Sequence, residues 1–237
     1  MLSTVRERWR ELLLEGAAVL LCVLLAFAVD SYGEGLSERR AEEVYLVALA
    51  EELGANDELL GNLSAGSQSR IEDVENYLSK VVHASSADGP SVSSVNEMLA
   101  QVGPFRIATF QRGALDDLLT SGGIELVRSD EVRRGILFYA QLIEQEMVRQ
   151  VAALQFWEDH MAPYYYEHAS FFDFMTWLEI PGESIPGALN MAAFHRSPEY
   201  SNLLIERRAR DVSLLRTRDA LAEQIDALLE MLEGGAL

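Results

Sequence analysis

Five side chains that could bind a metal ion lie close together in the sequence, around three consecutive tyrosines. They are Glu158, Asp159, His160, Glu167 and His168. A zinc site needs two or three such ligands to converge, which helical spacings of three or four residues achieve. Pro163 breaks the helical phase between the two histidines, and no HExxH or ExxH pair is present. We therefore predict capping and other polar roles for these residues, and no metal site.

No other residue pattern indicates catalysis or a cofactor. The chain lacks a Gly-x-Ser-x-Gly elbow, a Walker loop and a dinucleotide fingerprint, and His83 and His195 stand without recognisable partners. Scattered Ser, His and Asp residues do not make a triad without geometry. The sequence therefore predicts a protein that is not an enzyme, with no catalytic, cofactor-binding or metal-binding residues.

The amino-acid composition limits the kinds of partner that the protein is expected to bind. The 237 residues include 38 Asp and Glu against 19 Lys and Arg, so the net charge is −19. Such a polyanion repels a phosphate backbone, which excludes nucleic acid as an expected partner. Cys22 is the single cysteine, so no disulfide or cysteine-based metal site can form within one chain. Few prolines and 49% hydrophobic residues favour one folded core.

A hydrophobic run near the N-terminus predicts a membrane helix. From Gly16 to Val29 every residue is uncharged and most are large and apolar. Leu12 to Leu14 extend the run backwards past Glu15, to a helix length of about 27 Å, just enough for a thin bilayer. Three interpretations compete: a retained anchor, a cleaved signal peptide, and a buried helix of a soluble protein.

The retained anchor is the favoured interpretation. A small-x-small site at 26–28 would suit cleavage, but helix-forming sequence continues almost directly beyond it, with only Gly33 and Gly35 loosening the junction. A lipoprotein is disfavoured because Leu21 occupies the small-residue position before Cys22. The partner expected for this segment is the lipid bilayer.

Charge predicts the direction of insertion. Arg6, Arg8 and Arg10 precede the hydrophobic run, and the remainder of the chain is strongly acidic. The positive-inside rule then places residues 1–14 in the cytoplasm, a transmembrane helix at 15–31, and an acidic helical domain at 32–237 outside it. In a bacterium this corresponds to the inner membrane with a periplasmic domain.

Glu15 is unusual at the edge of an apolar helix, because a carboxylate inside a bilayer costs about 2.5–3.5 kcal/mol. One interpretation places it among the lipid headgroups. The other has it face further copies of the helix in an oligomer, where it would line a pore.

A heptad seam follows the membrane segment, with spacings that alternate between three and four. Its members are Leu46, Leu49, Leu53, Asn56, Leu60, Leu63, Ser67, Arg70, Val74, Tyr77 and Val81. The seam either faces the core of its own domain or packs against another protomer, where a buried Asn would fix register. The sequence alone leaves both interpretations open.

Further helices are predicted downstream. Gly and Pro mark a loop at 84–91, and a short helix is expected at 92–101. A short helix within 114–127 should stop at Gly122 and Gly123, one of them left-handed. Ser129 opens a long helix to about Met161, which Pro163 should end. Its expected core stripe is Val132, Ile136, Tyr139, Ile143 and Leu154.

The C-terminal part contains an aromatic segment and a last helix. Residues 164–194 are rich in aromatics and broken by prolines, so we expect irregular structure with short helical turns. Pro198 begins a helix that should end near Gly234 and carry a second heptad seam. That seam comprises Leu214, Leu221, Ile225, Leu228 and Leu232. The predicted fold is all-α: a transmembrane helix continuing into an antiparallel helical bundle with coiled-coil character, its first and last helices in contact.

Several blocks resemble a family of bacterial membrane-anchored proteins known only as a domain of unknown function. They are Glu15 before the apolar run, Asp30-Ser31-Tyr32, Glu34, Arg40, Glu43, YLVALAEEL at 45–53, ALDDLLTSGGIELV at 114–127, DEVRRGILFYAQL at 130–142 and Asn202. Asp30-Ser31-Tyr32 departs from the Asn-Trp pair usual in that family. The resemblance spans most of the chain outside 164–196. It implies an inner-membrane anchor with a helical extracytoplasmic domain, and no activity.

The sequence favours a non-enzymatic protein that assembles with itself or with an unidentified periplasmic or membrane protein, because it has two heptad seams and a short anchor. A sensing module is the alternative, with the aromatic segment Tyr164 to Trp177 holding a small molecule between helices. Such a sensor would need a separate output partner, since residues 1–14 are too few for an output domain. A pore lined by the anchor helices is a further alternative.

Overall fold

Every secondary-structure element that we describe is helical. The computed structural model describes the backbone of residues 2–83, 103, 105–168 and 197–236, with side chains except at 2–19, 28, 81–83 and 235–236. No strand occurs within these ranges, which confirms the all-α prediction. The predicted loop at 84–91, the helix at 92–101 and most of the irregular segment at 164–194 lie outside the described residues.

The first helix, α1, runs without interruption over Leu2–His83. Gly33 and Gly35 lie inside it and do not loosen the junction between the apolar run and the seam. A glycine costs only about 1 kcal/mol relative to alanine in a helix interior, too little to interrupt a helix of this length. The segment that is predicted to cross the membrane and the segment that enters the domain core therefore form one helix.

The apolar stretch of α1 is uncovered. Its described side chains, at 20–27 and 29, are open to the surroundings, with exposed fractions of 60% at Leu20 and 71% at Val29. By length and composition this is a helix that could cross a membrane. No other described part of the chain covers it, so the interpretation as a buried helix of a soluble protein is wrong for the part that the structure describes.

Two short helices follow a segment without regular secondary structure at 105–112. They are α2, Gly113–Thr120, and α3, Gly123–Leu126. Gly122 separates them with a φ of +81°, in the left-handed region, which confirms the prediction that a glycine here is left-handed. Glu52 of α1 accepts hydrogen bonds from the N–H groups of Ala114 and Leu115, at 2.7 and 3.3 Å. This carboxylate holds the start of α2 against α1.

The next long helix, α4, spans Asp130–Phe156 and begins where the sequence predicts. The Ser129 hydroxyl accepts a hydrogen bond from the Val132 N–H and caps it. A π-helical turn, Trp157–Met161, leads directly into α5, Ala162–His168. The prediction that Pro163 ends the helix is wrong. A π-helical turn widens the backbone and shifts its hydrogen bonds, which leaves room for the proline ring.

The last helix, α6, spans Pro198–Met231 and continues into a π-helical turn at Leu232–Ala236. Pro198 occupies a first-turn position, and the Ser197 hydroxyl accepts a hydrogen bond from the Tyr200 N–H. The predicted start is therefore confirmed. The chain stays helical slightly past the predicted end near Gly234.

The three long helices lie side by side with defined directions. Along α1 and α6, residue numbers rise on one helix as they fall on the other: Arg70 meets Asp211, and Glu75 meets Arg208. The α4–α6 contacts show the same antiparallel relation, as where Arg149 donates to Ser213. It follows that α1 and α4 run in the same direction. The predicted contact between the first and last helices is present.

Two hydrophobic clusters lie along this arrangement. The leucine core, nearer the apolar stretch of α1, contains mainly aliphatic side chains, including Leu49, Leu53, Leu118, Ile136, Ile143, Leu221 and Leu228. The aromatic core, farther along α1, contains Val74, Tyr77, Phe105, Ala153, Phe156, Met161, Tyr164, Tyr165, Tyr200, Leu204 and Leu214. Each fully buried large apolar side chain contributes about 1.5–3 kcal/mol relative to an exposed one.

Both heptad seams face the core of their own chain. From Leu46 to Tyr77 every seam position is buried except Arg70, which is half-buried, and Val81 lies outside the described side chains. All five positions of the second seam are buried as well. The interpretation of the first seam as a contact between protomers is therefore wrong. The seams give no support for self-assembly, since they are already covered within one chain.

Candidate functional site

A band of polar side chains separates the leucine core from the aromatic core. We call it the ionic layer, and its members are Ser67, Arg70, Glu146, Gln150, Arg207, Asp211 and Arg218. All are buried except Arg70, whose side chain is 13% exposed. Charged side chains are seldom fully buried unless they are paired, so this layer is the most unusual chemical feature of the described interior.

The layer arises because the inward-facing positions of all three long helices become polar at the same level. On α4 the spacing of three and four continues from Ile143 through Glu146 and Gln150 to Ala153. Leu154, which the sequence analysis assigned to this stripe, is only half-buried. On α6 the line of inward residues is Tyr200, Leu204, Arg207, Asp211, Leu214, Arg218 and Leu221. Helical periodicity thus carries charged residues into the interior.

One half of the layer joins all three helices through Arg218. Its Nε donates to Glu146 Oε1 at 2.6 Å, and its Nη1 donates to the Ser67 hydroxyl at 2.9 Å. Gln150 donates to the same oxygen of Glu146 at 3.1 Å and accepts a hydrogen bond from the Ala108 N–H at 2.7 Å. These bonds connect α1, α4, α6 and the segment at 105–112 before α2.

The other half is centred on Asp211. Its Oδ1 accepts hydrogen bonds from Arg70 Nε and Nη2 at 3.3 and 3.1 Å, and its Oδ2 accepts one from Arg207 Nε at 3.3 Å. The Arg207 guanidinium lies 3.9 Å from the centre of the Phe105 ring and donates to the Gly103 carbonyl at 2.9 Å. This cation–π contact ties the ionic layer to the aromatic core.

Charge in the layer is not balanced. Three guanidinium groups face two carboxylates, and burial acts against every ionised form. Desolvation raises the pKa of Glu146 although Arg218 lies beside it, and desolvation lowers the pKa of Arg207 although Asp211 lies beside it. The arrangement is suited to fixing how the helices align along their length, which is the best-attested role of buried polar groups.

A separate polar contact holds the segment before α2 onto α1. The Asn56 side chain donates to the Gln111 carbonyl at 2.8 Å and accepts from the Gln111 N–H at 2.9 Å. It also donates to the Tyr139 hydroxyl at 2.9 Å, and burial raises the pKa of Tyr139 to about 12. Fixing of register between protomers is one of the two roles that the sequence suggests for Asn56. In the structure its contacts are all within one chain.

The five potential metal ligands of the sequence analysis do not come together. Glu158, Asp159, His160, Glu167 and His168 are all exposed. The His168 ring lies 4.5 Å from the ring of Tyr164, and the His160 ring lies 5.6 Å from that of Phe156. Within the ranges described above, no three His, Cys, Asp or Glu residues are placed to hold a metal ion.

An open groove of about 510 Å³ lies between the π-helical turn and the start of α6. It is lined by Phe156, His160, Glu199, Asn202, Leu203, Glu206 and Arg210. π-helical turns often occur at functional sites. The groove is shallow and mostly apolar, with two carboxylates and one guanidinium at its edge.

Tyrosines dominate the aromatic core next to this groove. The rings of Tyr164 and Tyr200 stack 5.7 Å apart, and Tyr77 meets Tyr200 edge to face at 5.8 Å. Burial raises the pKa of the Tyr77, Tyr165 and Tyr200 hydroxyls well above their usual value. Of the aromatic segment Tyr164 to Trp177, only the residues up to His168 are described, and Tyr164 and Tyr165 pack into this core.

Several residues singled out by sequence lie outside the described side chains. They are Glu15, His83 and His195. Cys22 is exposed on the apolar stretch of α1.

Comparison with known proteins gives no relative: no family model, no curated protein and no solved structure matches this chain.

Proposed function

We propose that this chain is a membrane-anchored protein without catalytic activity that acts through protein–protein contact, by self-assembly or by binding a partner. The anchor is the apolar stretch of α1, and the rest forms an antiparallel helical bundle with coiled-coil character. In this proposal residues 1–14 are cytoplasmic and the domain from residue 32 is periplasmic, at a bacterial inner membrane. The resemblance to the bacterial membrane-anchored family agrees with it.

One observation carries the proposal: a single helix supplies both the exposed apolar stretch and one wall of the core. Leu20 and Val29 are open to the surroundings, whereas Leu46, Leu49 and Leu53 of the same helix are fully buried. Exposing such a run to water is unfavourable, and a bilayer removes that cost. Two separate environments along one helix are what an anchored domain requires.

Membrane attachment is tested by fractionation. We expect the wild-type protein in the membrane pellet after an alkaline carbonate wash, and in solution only after detergent is added. Replacing Leu21 and Leu24 together by Arg should release it, because each charge costs about 2.5–3.5 kcal/mol within a bilayer. Val44→Arg with Val47→Arg is the matched control, since these residues are exposed on the same helix beyond the anchor. Wild-type protein in the carbonate-soluble fraction would contradict the proposal.

The direction of membrane insertion and the assembly of the protein are tested by two further measurements. Protease added to intact spheroplasts should digest the domain if it is periplasmic, and inside-out vesicles should protect it. Light scattering of the detergent-solubilised full chain should give the mass of an oligomer, or of a complex when a partner is co-purified. A monomeric mass over a wide concentration range, with no co-purifying protein, would contradict assembly.

A second candidate, sensing of a small molecule, is favoured by the groove beside the π-helical turn. A ligand there would contact Phe156, His160 and Arg210. Thermal-shift screening against metabolites tests this function. Stabilisation that His160→Ala abolishes would support it, and an absence of any stabilising compound would count against it.

A further inference from the structure

From Phe138 to Gln155, beyond the exposed Arg134 one turn earlier, one exposed face of α4 lacks charge. It consists of Phe138, Gln141, Gln145, Val148, Ala152 and Gln155, which we call the neutral stripe. Successive members are three and four residues apart, so they form one line along the helix. The exposed fractions of Phe138 and Val148 are 48% and 67%. Exposed Leu137, Met147 and Val151 flank the line and widen its apolar surface.

The neutral stripe contrasts with the outward faces of the other two long helices. On α1 the exposed carboxylates include Glu51, Asp57, Glu58, Glu72 and Glu75, and on α6 they include Glu199, Glu206, Asp219, Glu223, Asp226 and Glu230. Two copies of a chain with a net charge of −19 repel each other when such faces meet. The nearest exposed carboxylate on α4, Glu144, is paired with Arg112 at 2.6 Å.

We propose that the neutral stripe is the contact between two copies of this chain in a parallel dimer. The inference rests on the proposed function, since it uses the membrane anchor to orient both copies. Anchors in one bilayer point the same way, so a two-fold axis lies along the membrane normal. Because α4 runs in the same direction as α1, the two α4 helices then lie parallel and in register.

A parallel, in-register contact places each stripe residue opposite its own counterpart. Phe138, Val148 and Ala152 then make apolar contacts across the axis. A glutamine amide both donates and accepts hydrogen bonds, so Gln141 and Gln145 can each pair with themselves. A carboxylate or a guanidinium has no such self-complementarity. The stripe contains only residue types that tolerate this symmetry.

The length of the stripe predicts a weak contact that depends on the anchor. From Phe138 to Gln155 the helix rises about 26 Å. One helix face of this length buries less than the roughly 1,000 Å² expected of a stable interface. Confinement in the same bilayer raises the effective concentration of the second copy and compensates for the small area.

Cysteine cross-linking in native membranes tests the dimer. In a full-length Cys22→Ser background, Val148→Cys should give a disulfide-linked dimer on mild oxidation. Ala209→Cys on α6 and Ala65→Cys on α1 are matched controls, because both positions are exposed on the outward faces of their helices. They should remain monomeric. Cross-linking at a control position and not at residue 148 would overturn the inference.

A charge substitution gives an independent readout. In native membranes, with Gln145→Cys as the cross-linking position, Val148→Glu should lower the yield of disulfide-linked dimer by roughly tenfold or more, because it opposes two like charges, and Ala209→Glu should leave the yield unchanged. An oligomer that Val148→Glu does not weaken assembles through another surface, which overturns this inference and leaves the proposed function standing. No cross-link at residue 148 also overturns it, whether another segment of the chain covers the stripe or the chain is monomeric. Protein absent from the membrane fraction overturns both proposals.

Discussion

The leucine core and the aromatic core occupy the same inward-facing lines of α1, α4 and α6, yet they are stabilised differently. In the leucine core, aliphatic side chains such as Leu49 and Ile136 gain stability through burial and close packing alone. In the aromatic core, hydroxyl groups of Tyr165 and Tyr200 are buried with the rings and must keep hydrogen-bond partners. The ionic layer lies at the boundary, so one repeat pattern can specify three interiors according to residue type.

The largest expected loss of stability comes from breaking an ion pair of the ionic layer, which lies between the two cores. Arg218→Met leaves Glu146 buried without its cation, and loss of one partner of a buried ion pair costs about 3–5 kcal/mol. We expect this fall in the free energy of unfolding in denaturant titrations of the detergent-solubilised chain. The double variant Glu146→Met, Arg218→Met should recover most of the loss, because no uncompensated charge remains. A double variant as unstable as Arg218→Met would show that the layer acts by more than charge pairing.

The second prediction probes the leucine core. Leu49→Ala removes a fully buried side chain and should cost about 2–5 kcal/mol, through lost burial and a residual cavity. Thermal unfolding followed by circular dichroism measures it as a lower Tm. Val47→Ala is the control on the exposed face of the same helix and should stay within about 0.5 kcal/mol of wild type. Equal losses from the two variants would contradict the assigned burial.

The third prediction distinguishes the aromatic core by its response to alkali. Folding raises the pKa of Tyr77, Tyr165 and Tyr200, so above pH 10 the unfolded state loses protons that the folded state keeps. Stability is therefore present below pH 10 and falls as the pH rises, by about 1.4 kcal/mol per tyrosine for each further pH unit. Absorbance at the tyrosinate band should rise together with loss of helical signal. Ionisation of these tyrosines well before unfolding would contradict it.

The smallest loss of stability is expected when a single buried hydroxyl group is removed. Tyr200→Phe removes a hydrogen bond to Tyr165 and should cost about 1 kcal/mol while the ring packing is kept. The exposed Tyr32→Phe serves as control. The variant should also make the loss of stability above pH 10 less steep, because one raised pKa is removed. An unchanged alkaline response would contradict the raised pKa of Tyr200.

The comparison also shows which features could be predicted from sequence. The burial of the two heptad seams, which include Leu46 and Leu221, is predictable from sequence. Aliphatic residues at helical spacing usually face a core. The first seam includes Ser67 and Arg70, but the sequence does not predict their buried partners, Arg218 and Asp211. Charged residues are expected at the surface. The available signal was the spacing itself, which continues through Arg207, Asp211 and Arg218 without a change of phase.

Other misses have local causes. A π-helical turn has no strong sequence signature, so the sequence predicts a helix end at Pro163 where the structure continues. The potential metal ligands at 158–168, for which the sequence predicts polar roles, are exposed on helical turns whose buried face is aromatic. The neutral stripe was not predicted, since the sequence analysis sought assembly surfaces among leucines. An assembly surface on an acidic protein is better sought where charge is missing.

The unbroken course of α1 has a mechanical consequence. In the proposed topology about 80 Å of helix separates Val29 from His83, at 1.5 Å per residue. A tilt of about 10° at the bilayer would displace the far end sideways by about 14 Å over that length. Because the helix is unbroken at Gly33 and Gly35, a tilt of the proposed anchor would be passed on to the domain. Changes in bilayer thickness, which alter helix tilt, would thus be amplified into displacements of the aromatic core.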